Sequence, residues 1–240
     1  MATSAAPTTE IAPGLYRLEL GFVNAYLVDV DGELTLVDTG YPDAAESILA
    51  AVGQLGHRPT ALAQILVTHA HFDHSGSAPK LREHTGAKVL MSQPDAELIR
   101  GGFSSRGLKI RPGFEEIVHE QTGGMDLSVP APTEPFNVDG YLSAGTDVPG
   151  IPDAELISTP GHCAGQLSLL WHRHGGVLLT GDAAANIEQL GTTPVAEDFE
   201  RLRTDFIQLA ERDFAVAAFG HGPPVSENAT AAFRAAIPNA

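Results

Sequence analysis

The stretch THAHFDHSG (Thr68–Gly76) contains three histidines and one aspartate within the six residues HAHFDH. Four such polar side chains cannot all be buried so close together without polar partners or an ion. On an extended segment, residues i and i+2 point to the same side, so His69 and His71 are predicted to serve one metal ion. Asp73 and His74 follow a turn of the chain and are predicted to serve a second ion, because one ion takes only three or four protein ligands.

Three later segments place a metal-ligating side chain beside a glycine, just after a predicted strand. STPGHCAG contains His162, LLTGDAA contains Asp182 and AAFGHGPP contains His221. Glycine permits tight turns and a close approach of the backbone to an ion. Each segment alone is a weak signal, but the same arrangement recurs at four strand ends. We therefore expect these residues to complete the metal site.

Hydrophobic periodicity predicts strands and helices that alternate in both halves of the chain, which indicates the α/β class. A turn at Asp31-Gly32 is predicted to join two strands. Asp43 and Glu46 are predicted to form a capping box for a helix that Gly56 ends, and Ser226 is predicted to cap the last helix. Strands are predicted at 14–20, 24–30, 33–38, 63–68, 87–91, 154–159, 165–171, 175–180 and 214–219, and helices at 43–56, 77–86, 94–100, 197–212 and 226–237.

The domain organisation follows from where these patterns stop. Residues 1–12 lack the basic and apolar regions of a signal peptide and are expected to be a disordered lead. Residues 13–240 are expected to form a single domain. Within it, residues 101–150 are rich in proline and glycine and have no sustained period, which is typical of a functional loop region. This segment is predicted to be a substrate-wall insertion; a lid, a surface excursion and a subunit interface are the alternatives.

Composition restricts the partners and the compartment. The net charge of −16 disfavours nucleic acid, and the basic residues of 100–111 are expected to lie on a solvated loop. A run of about 18 apolar residues, which a membrane span would need, does not occur. The single cysteine, Cys163, rules out an internal disulfide and favours a reducing, cytoplasmic location. A small molecule is therefore the expected partner, and the oligomeric state is left open.

The order of these residues resembles the metallo-β-lactamase-fold hydrolase superfamily. That family has an aspartate after an early strand, then His-x-His-x-Asp-His, then a histidine, an aspartate and a final histidine. The resemblance runs from about Leu15 to the C-terminus, and it implies a four-layered αβ/βα sandwich with a metal site at one edge between two sheets. The matching positions are Asp38 in LVDTG, His69, His71, Asp73, His74, His162, Asp182 and His221.

The resemblance also implies a role for each of these residues. His69, His71 and His162 would hold a first divalent ion; Asp73, His74 and His221 would hold a second; Asp182 would bridge both. Asp38 would orient the site without ligating. Zinc is the expected metal, and manganese, iron and cobalt accept the same ligands. Cys163 adjoins a ligand and is expected to be a packed thiol, and the remaining histidines (His57, His84, His119, His172 and His174) are expected on the surface.

A dinuclear site of this kind implies hydrolysis of an ester, lactone or thioester by a metal-bound hydroxide, which Asp73 would help to orient. Export signals are typical of secreted β-lactam-degrading members, which also lack the bridging aspartate; this chain has no such signal and carries Asp182. Only 19 residues follow His221, which disfavours the glutathione-binding helical domain of the glyoxalase II branch. Nuclease branches carry a large insertion and bind RNA, which the acidic charge disfavours.

Three alternatives remain. Acyl-homoserine lactonases resemble the chain in size and in the seven ligands, but their tyrosine after the bridging aspartate is absent from GDAAANIEQ, where Asn186 is a candidate replacement. Persulfide dioxygenases hold a single iron and share the TPGH and TGD signals, but AAANIEQLGTT lacks their Gly-, Arg- and Asp-rich character. A non-catalytic metal-bearing scaffold is disfavoured because all seven ligand positions are intact.

Overall fold

Residues 4–239 are described by a computed structural model, and their regular elements follow the predicted alternation. The strands are β1 (Thr8–Ala12), β2 (Leu15–Leu20), β3 (Val23–Val30), β4 (Glu33–Val37), β5 (Leu62–Val67), β6 (Lys88–Ser92), β7 (Lys109–Ile110), β8 (Gly140–Leu142), β9 (Ala154–Ser158), β10 (Leu167–Trp171), β11 (Val177–Leu179), β12 (Ala185–Asn186), β13 (Leu190–Gly191), β14 (Val195–Ala196) and β15 (Val216–Ala218). The helices are α1 (Ala45–Gln54), α2 (Phe72–Ser75), α3 (Ala78–Thr85), α4 (Gln93–Arg100), α5 (Glu115–Gln121), α6 (Phe199–Ala210) and α7 (Ala229–Ala236), with 3-10 turns at Pro59–Ala61 and Ile237–Asn239.

Two sheets carry most of the strands. The larger sheet has the order β1-β2-β3-β4-β5-β6-β8, antiparallel up to β4 and parallel beyond it. The smaller sheet has the order β15-β11-β10-β9, with β15 parallel to β11. Parallel neighbours end at the same edge of a sheet. The loops that follow β4 and β5 in one sheet, and β11 and β15 in the other, therefore open side by side.

Apolar side chains form three packed sets that define four layers. Helices α1, α3 and α4 cover the outer face of the larger sheet, where Ile48 and Leu81 pack in one cluster with Leu36. The facing surfaces of the two sheets enclose a second cluster that includes Leu66 and Trp171. Helices α6 and α7 cover the smaller sheet through a third cluster, which contains Phe206, Phe233 and Leu178. This helix–sheet–sheet–helix order is the predicted αβ/βα sandwich, and each buried large apolar side chain stabilises it by about 1.5–3 kcal/mol.

Hydrogen bonds also join the two sheets directly. The Asn24 side chain at the start of β3 donates to the carbonyl oxygen of Phe219, beyond β15, at 3.0 Å, and its backbone N–H donates to Gly220 O at 2.8 Å. The Tyr26 hydroxyl donates to the same Phe219 oxygen at 2.7 Å and accepts from Phe219 N at 3.0 Å. Burial raises the pKa of Tyr26, so its hydroxyl keeps the proton that it donates. These bonds fix the chain just before His221.

The N-terminal prediction is wrong for residues 8–12. Strand β1 (Thr8–Ala12) pairs antiparallel with β2, so these residues belong to the larger sheet and not to a disordered lead. The β-branched residues Thr8, Thr9 and Ile11 suit a half-buried edge strand. Ala6 is also buried, and its N–H donates to Ser47 O at 3.1 Å. Residues 1–3 of the predicted lead lie outside the described residues.

Two predicted helix caps are also wrong. Helix α1 begins after Ala44, not Asp43, and Ala44 has no polar side chain that could cap the helix. Helix α7 begins after Asn228, which adopts a left-handed conformation, rather than at Ser226. The predicted stop at Gly56 is confirmed, since this glycine has a φ of +87° just beyond the end of α1. The Asp31-Gly32 turn is confirmed by the pairing of Val30 with Glu33.

The predicted insertion is shorter than residues 101–150. Strand β8 (Gly140–Leu142) pairs with β6 and extends the larger sheet, so the irregular segment comprises residues 101–139. This segment, here called the wall segment, contains only the short elements β7 and α5. The basic residues of this region are not all solvated: the Arg111 guanidinium lies 5.4 Å from the ring centre of Phe199, and Arg106 pairs with the buried carboxylate of Asp95.

Candidate metal centre

A first cluster consists of three buried histidines. His69 and His71 follow β5, and His162 follows β9. His69 Nε2 and His162 Nε2 each lie 3.0 Å from His71 Nδ1. Three ligands of a tetrahedral ion with bonds of 2.0–2.1 Å would be separated by roughly 3.3 Å. The three nitrogens therefore converge as ligands of one ion would.

A second cluster lies beside the first. The first turn of α2 presents Asp73 and His74, and the loop after β15 presents His221. His74 Nε2 is 3.8 Å from Asp73 Oδ2, and His221 Nε2 is 3.5 Å from the same oxygen. One ligand atom from each of the three residues lies within 4.8 Å of the others. This group also has the size of a single-ion site.

Asp182, in the loop after β11, lies between the two clusters. Its Oδ2 is 3.5 Å from His162 Nε2 and 3.2 Å from His221 Nε2. Its Oδ1 is 3.4 Å from His74 Nε2. The structure thus brings together all seven residues that the sequence singled out, and Asp182 has the position of a bridging carboxylate.

Unpartnered buried atoms show that this donor set fits divalent cations. Among residues 4–239, His74 Nε2 and Asp182 Oδ1 have no hydrogen-bond partner, although both are buried. Buried polar atoms in folded proteins are almost always bonded, because leaving one unbonded costs about 1–3 kcal/mol. A cation between these atoms would satisfy both. Imidazole nitrogen and carboxylate oxygen are ligands that zinc and related metals accept.

The protonation states of His69, His71 and Asp182 suit metal binding, whereas His74 holds a proton that a bound ion would displace. Burial, reinforced by neighbouring imidazoles, lowers the pKa of His69 and of His71 well below the usual value, so both are neutral, as ligands must be. Burial would raise the pKa of Asp182, but His221 and His74 hold it well below its usual range, which keeps this carboxylate ionised. Burial would lower the pKa of His74, yet Asp182 and Asp38 raise it well above the usual value.

Contacts behind the clusters orient the imidazoles. Asp38 Oδ2 lies 2.9 Å from His74 Nδ1, and Asp38 Oδ1 accepts from Thr68 N at 2.8 Å. Backbone carbonyl oxygens orient two other imidazole rings in the same way. Val195 O lies 2.9 Å from His162 Nδ1, and Phe22 O lies 2.9 Å from His221 Nδ1. In each case the Nε2 atom is left facing the cluster. Asp38 therefore lies where an orienting residue would.

Thr68 is a contact that the sequence did not single out. Its hydroxyl lies 2.9 Å from Asp38 Oδ2 and 3.0 Å from His69 Nδ1, so it links the aspartate to the first cluster. Its position directly before His69 was the sequence feature that could have indicated this contact. A threonine at the end of a strand is common, and only the packing of β4 beside β5 gives this one its role.

A cleft with an empty volume of about 890 Å³ opens above the clusters. Its floor contains His71, Asp73, His162, Asp182 and His221, and Phe22, Tyr41 and Phe72 line it near the floor. The wall segment supplies a mostly apolar side formed by Ser105, Leu108, Ile117, Val118, Gln121, Thr122, Met125, Leu127, Val129 and Ala131.

The remaining histidines and the cysteine lie outside the clusters. Cys163 is buried with Sγ 3.6 Å from Asp95 Oδ2, and it belongs to none of the ligand groups. Burial and the nearby Asp95 raise the pKa of its thiol well above the usual value, which disfavours a thiolate ligand. Four histidines are exposed as predicted: His84, His119, His172 and His174. His57 is instead half-buried, with Nε2 3.0 Å from Asp29 Oδ2.

Comparison with known proteins agrees with this fold. Residues 18–221 match the metallo-β-lactamase superfamily, and the chain belongs to that family. It is a metallo-hydrolase of the superfamily. Within residues 4–239 we find no helix with both the length and the apolar character needed to cross a membrane.

Several bacterial relatives align with this chain over most of its length. YobT, an uncharacterised protein of Bacillus subtilis, is 36% identical over 162 residues, which is 67% of this chain and 61% of YobT's length. YflN, a probable metallo-hydrolase of the same organism, is 25% identical over 239 residues, covering 90% of this chain and 87% of YflN. An N-acyl homoserine lactonase of Bacillus cereus is 25% identical over 227 residues, covering 82% and 79% of the two chains.

Solved metallo-β-lactamases share the fold. MIM-1 from Novosphingobium pentaromativorans superposes with a TM-score of 0.72 at 22% identity, covering 99% of this chain and 89% of MIM-1. At this identity the likeness concerns the fold alone. The expected sandwich is therefore confirmed, and the match over residues 18–221 confirms the expected family.

Proposed function

We propose that this metallo-hydrolase cleaves an ester, lactone or thioester bond of a small molecule that carries an apolar acyl group. One observation carries the proposal: the seven ligand-type side chains meet at the base of a cleft whose opposite side is apolar. The polar floor suits a reacting carbonyl group, and the wall segment suits a hydrocarbon chain.

The proposed site holds two divalent ions, most simply zinc. His69, His71 and His162 would hold one ion, Asp73, His74 and His221 the other, and Asp182 both. When bound, such ions lower the pKa of a coordinated water to about 7 and polarise a substrate carbonyl group. The structure supports this assignment through the buried, unpartnered atoms His74 Nε2 and Asp182 Oδ1.

Asp73 is the carboxylate that we assign to proton handling. Its side chain is 17% exposed and borders the cleft, whereas the side chain of Asp182 is 4% exposed. Asp73 can therefore accept a proton from an attacking water at a carboxylate oxygen and keep that water oriented toward the cleft. Asp182 is buried between histidines and serves to hold the two clusters together.

Tyr41 is the hydroxyl that we assign to the substrate carbonyl oxygen. It lines the cleft close to the floor, and within residues 4–239 no hydrogen bond engages its hydroxyl. Burial and the charge of Asp73 raise its pKa to about 12, so it is a protonated donor at neutral pH. Asn186, the candidate from the sequence, donates to Pro223 O at 2.9 Å and does not line the cleft.

A lactone with an apolar acyl chain is the first substrate to examine. The similarity to an N-acyl homoserine lactonase supports this choice, as does the apolar side of the cleft. The single-iron dioxygenase alternative needs only two histidines and one aspartate. It is disfavoured because it assigns no function to the second cluster of ligand-type residues.

The test compares an N-decanoyl homoserine lactone with a decanoyl thioester, using zinc-loaded protein and a chelator-treated control. We expect chelator-sensitive turnover of at least one substrate and two metal ions per chain. His69→Ala is expected to abolish turnover and lower metal content, whereas His84→Ala, at an exposed position, is expected to change neither. Wild-type turnover by His69→Ala would refute the proposal, and a single iron per chain would favour the dioxygenase.

A further inference from the structure

A second buried carboxylate lies next to the metal centre without belonging to it. Asp95, in α4, is fully buried. Its Oδ2 accepts from the N–H of Ala70, the residue between His69 and His71, at 2.9 Å. The same oxygen is 3.6 Å from Cys163 Sγ, beside His162. Asp95 therefore touches both loops that carry the first cluster.

Arg106 of the wall segment reaches into this location. Its Nη1 lies 3.0 Å from Asp95 Oδ1 and 3.5 Å from Glu197 Oε1, and its Nη2 donates to Pro94 O at 2.7 Å. Glu197 in turn accepts from Ala164 N at 3.1 Å and donates its own N–H to the carbonyl oxygen of His162 at 2.8 Å. One guanidinium thus joins the wall segment to both ligand-bearing loops.

The neighbours of Arg106 in sequence form the side of the cleft. Ser105 and Leu108 line the cleft on either side of it. Leu108 N donates to Leu127 O at 2.6 Å, and Ser104 N donates to Ala131 O at 2.8 Å. These hydrogen bonds couple the position of Arg106 to that of residues 127–131, which also contribute to the lining of the cleft.

We propose that Arg106 is a positioning residue that sets the distance between the apolar wall and the metal centre, and thereby the acyl chain length that the cleft accepts. The positioning role of Arg106 rests on its contacts with Asp95, Glu197 and Pro94, whereas its effect on acyl chain length also rests on the proposed function. Arginine suits this position because two nitrogens of its planar fork reach a carboxylate and a carbonyl oxygen in a fixed geometry, whereas lysine offers a single nitrogen on a flexible stem.

Removal of the guanidinium has a predictable local effect. In Arg106→Gln the buried carboxylate of Asp95 and the partly exposed carboxylate of Glu197 would have no cation between them, and an unpaired buried charge is strongly destabilising. In Arg106→Lys the charge is kept, but the fork that also reaches Pro94 O is lost. The least costly relief is movement of the wall segment away from the loops, so that water reaches the carboxylates. The cleft would then widen, while the metal ligands keep their own contacts.

The test uses the full chain with Arg106→Lys and Arg106→Gln, and with Arg100→Gln as a matched control at an exposed position of α4. Hydrogen–deuterium exchange is measured for peptides covering 104–131. We expect both Arg106 variants to exchange at least tenfold faster there, with unchanged metal content, and Arg100→Gln to match the wild type. If Arg106→Gln does not fold, Arg106→Lys decides.

Kinetics supply the second readout, with butanoyl and decanoyl homoserine lactones. We expect the KM of the decanoyl substrate to rise about tenfold in Arg106→Lys, with little change in kcat and little change for the butanoyl substrate. Wild-type exchange and an unchanged chain-length preference would overturn the proposal. A wild-type protein that turns over neither lactone would refute lactone hydrolysis alone, because the exchange result would still decide whether Arg106 positions the wall.

Discussion

Replacing Asp38 by asparagine tests how the second cluster is oriented. Asp38 Oδ2 now lies 2.9 Å from His74 Nδ1, while Oδ1 accepts from Thr68 N at 2.8 Å. In Asp38→Asn the remaining oxygen can still accept from Thr68 N, and the new NH2 group then faces His74 Nδ1. His74 would accept at Nδ1 and carry its proton on Nε2, the atom that faces Asp182. A protonated nitrogen is not a metal ligand.

The expected magnitude follows from this change of tautomer. Loss of an orienting partner typically weakens metal affinity by about 10- to 100-fold, or roughly 1.4–2.7 kcal/mol. Asparagine tolerates the left-handed backbone of Asp38, whose φ is +63°, so the substitution isolates the hydrogen-bond effect. Asp38→Ala would also leave the buried Thr68 N–H unpaired, which costs about 1–3 kcal/mol of folding stability.

The assay is metal content after dialysis against a graded series of chelator concentrations. We expect Asp38→Asn to lose one of two ions at a chelator concentration 10- to 100-fold lower than the concentration that the wild type requires. Asp43→Asn, at a nearby exposed position, is the control and should behave as the wild type. Two ions held with wild-type affinity by Asp38→Asn would refute the reasoning about the His74 tautomer.

Three further substitutions address the cleft, the floor and the scaffold. Tyr41→Phe should lower kcat/KM about 100-fold with metal content unchanged, which is the lower end of the effect of losing one donor to a developing oxyanion. Tyr141→Phe, at a residue of β8 that is 55% exposed, is the control, and equal kcat/KM values for Tyr41→Phe and the wild type would exclude the role of Tyr41. Gly220→Ala should reduce metal content and lower Tm, because a methyl group there would overlap Asp182 Oδ1 and lie 2.7 Å from His74 Cε1; metal analysis showing two ions would contradict this. Asp198→Ala should lower the unfolding free energy by about 1 kcal/mol in urea titrations with kcat unchanged, because Asp198 caps α6 through Arg201 N at 3.0 Å; a change in kcat would argue against a purely local effect.

The convergence of the seven ligand-type side chains was predictable because each of the segments that carry them has a local signal. Each ligand loop follows a short apolar strand, and glycines mark the later ones, as at Gly220, where a side chain would collide with Asp182. Strands that end beside one another then bring the loops together without any long-range pattern in the sequence. For the same reason the layers could be expected from the alternation of strands and helices.

The Arg106 cluster had no such signal. Arg106 is 11 positions from Asp95 and 91 from Glu197, and no single helix or strand spans either interval. In sequence the arginine belongs to a basic stretch that ordinarily is solvated, and only the fold places the buried Asp95 and the partly exposed Glu197 beside it. The cap of α1 was also missed, because the helix begins after Ala44 although Asp43, a better capping residue, lies next to it.

The hydrogen bonds between β3 and the end of β15 have a consequence for synthesis. They join Asn24 to Phe219 across 195 positions, which a ribosome covers in roughly 10–40 s. During that interval the nascent chain exposes His69, His71 and His74 without the later ligands. We expect the second cluster to capture an ion only once His221 has emerged, because this residue is the last member of that cluster in the chain.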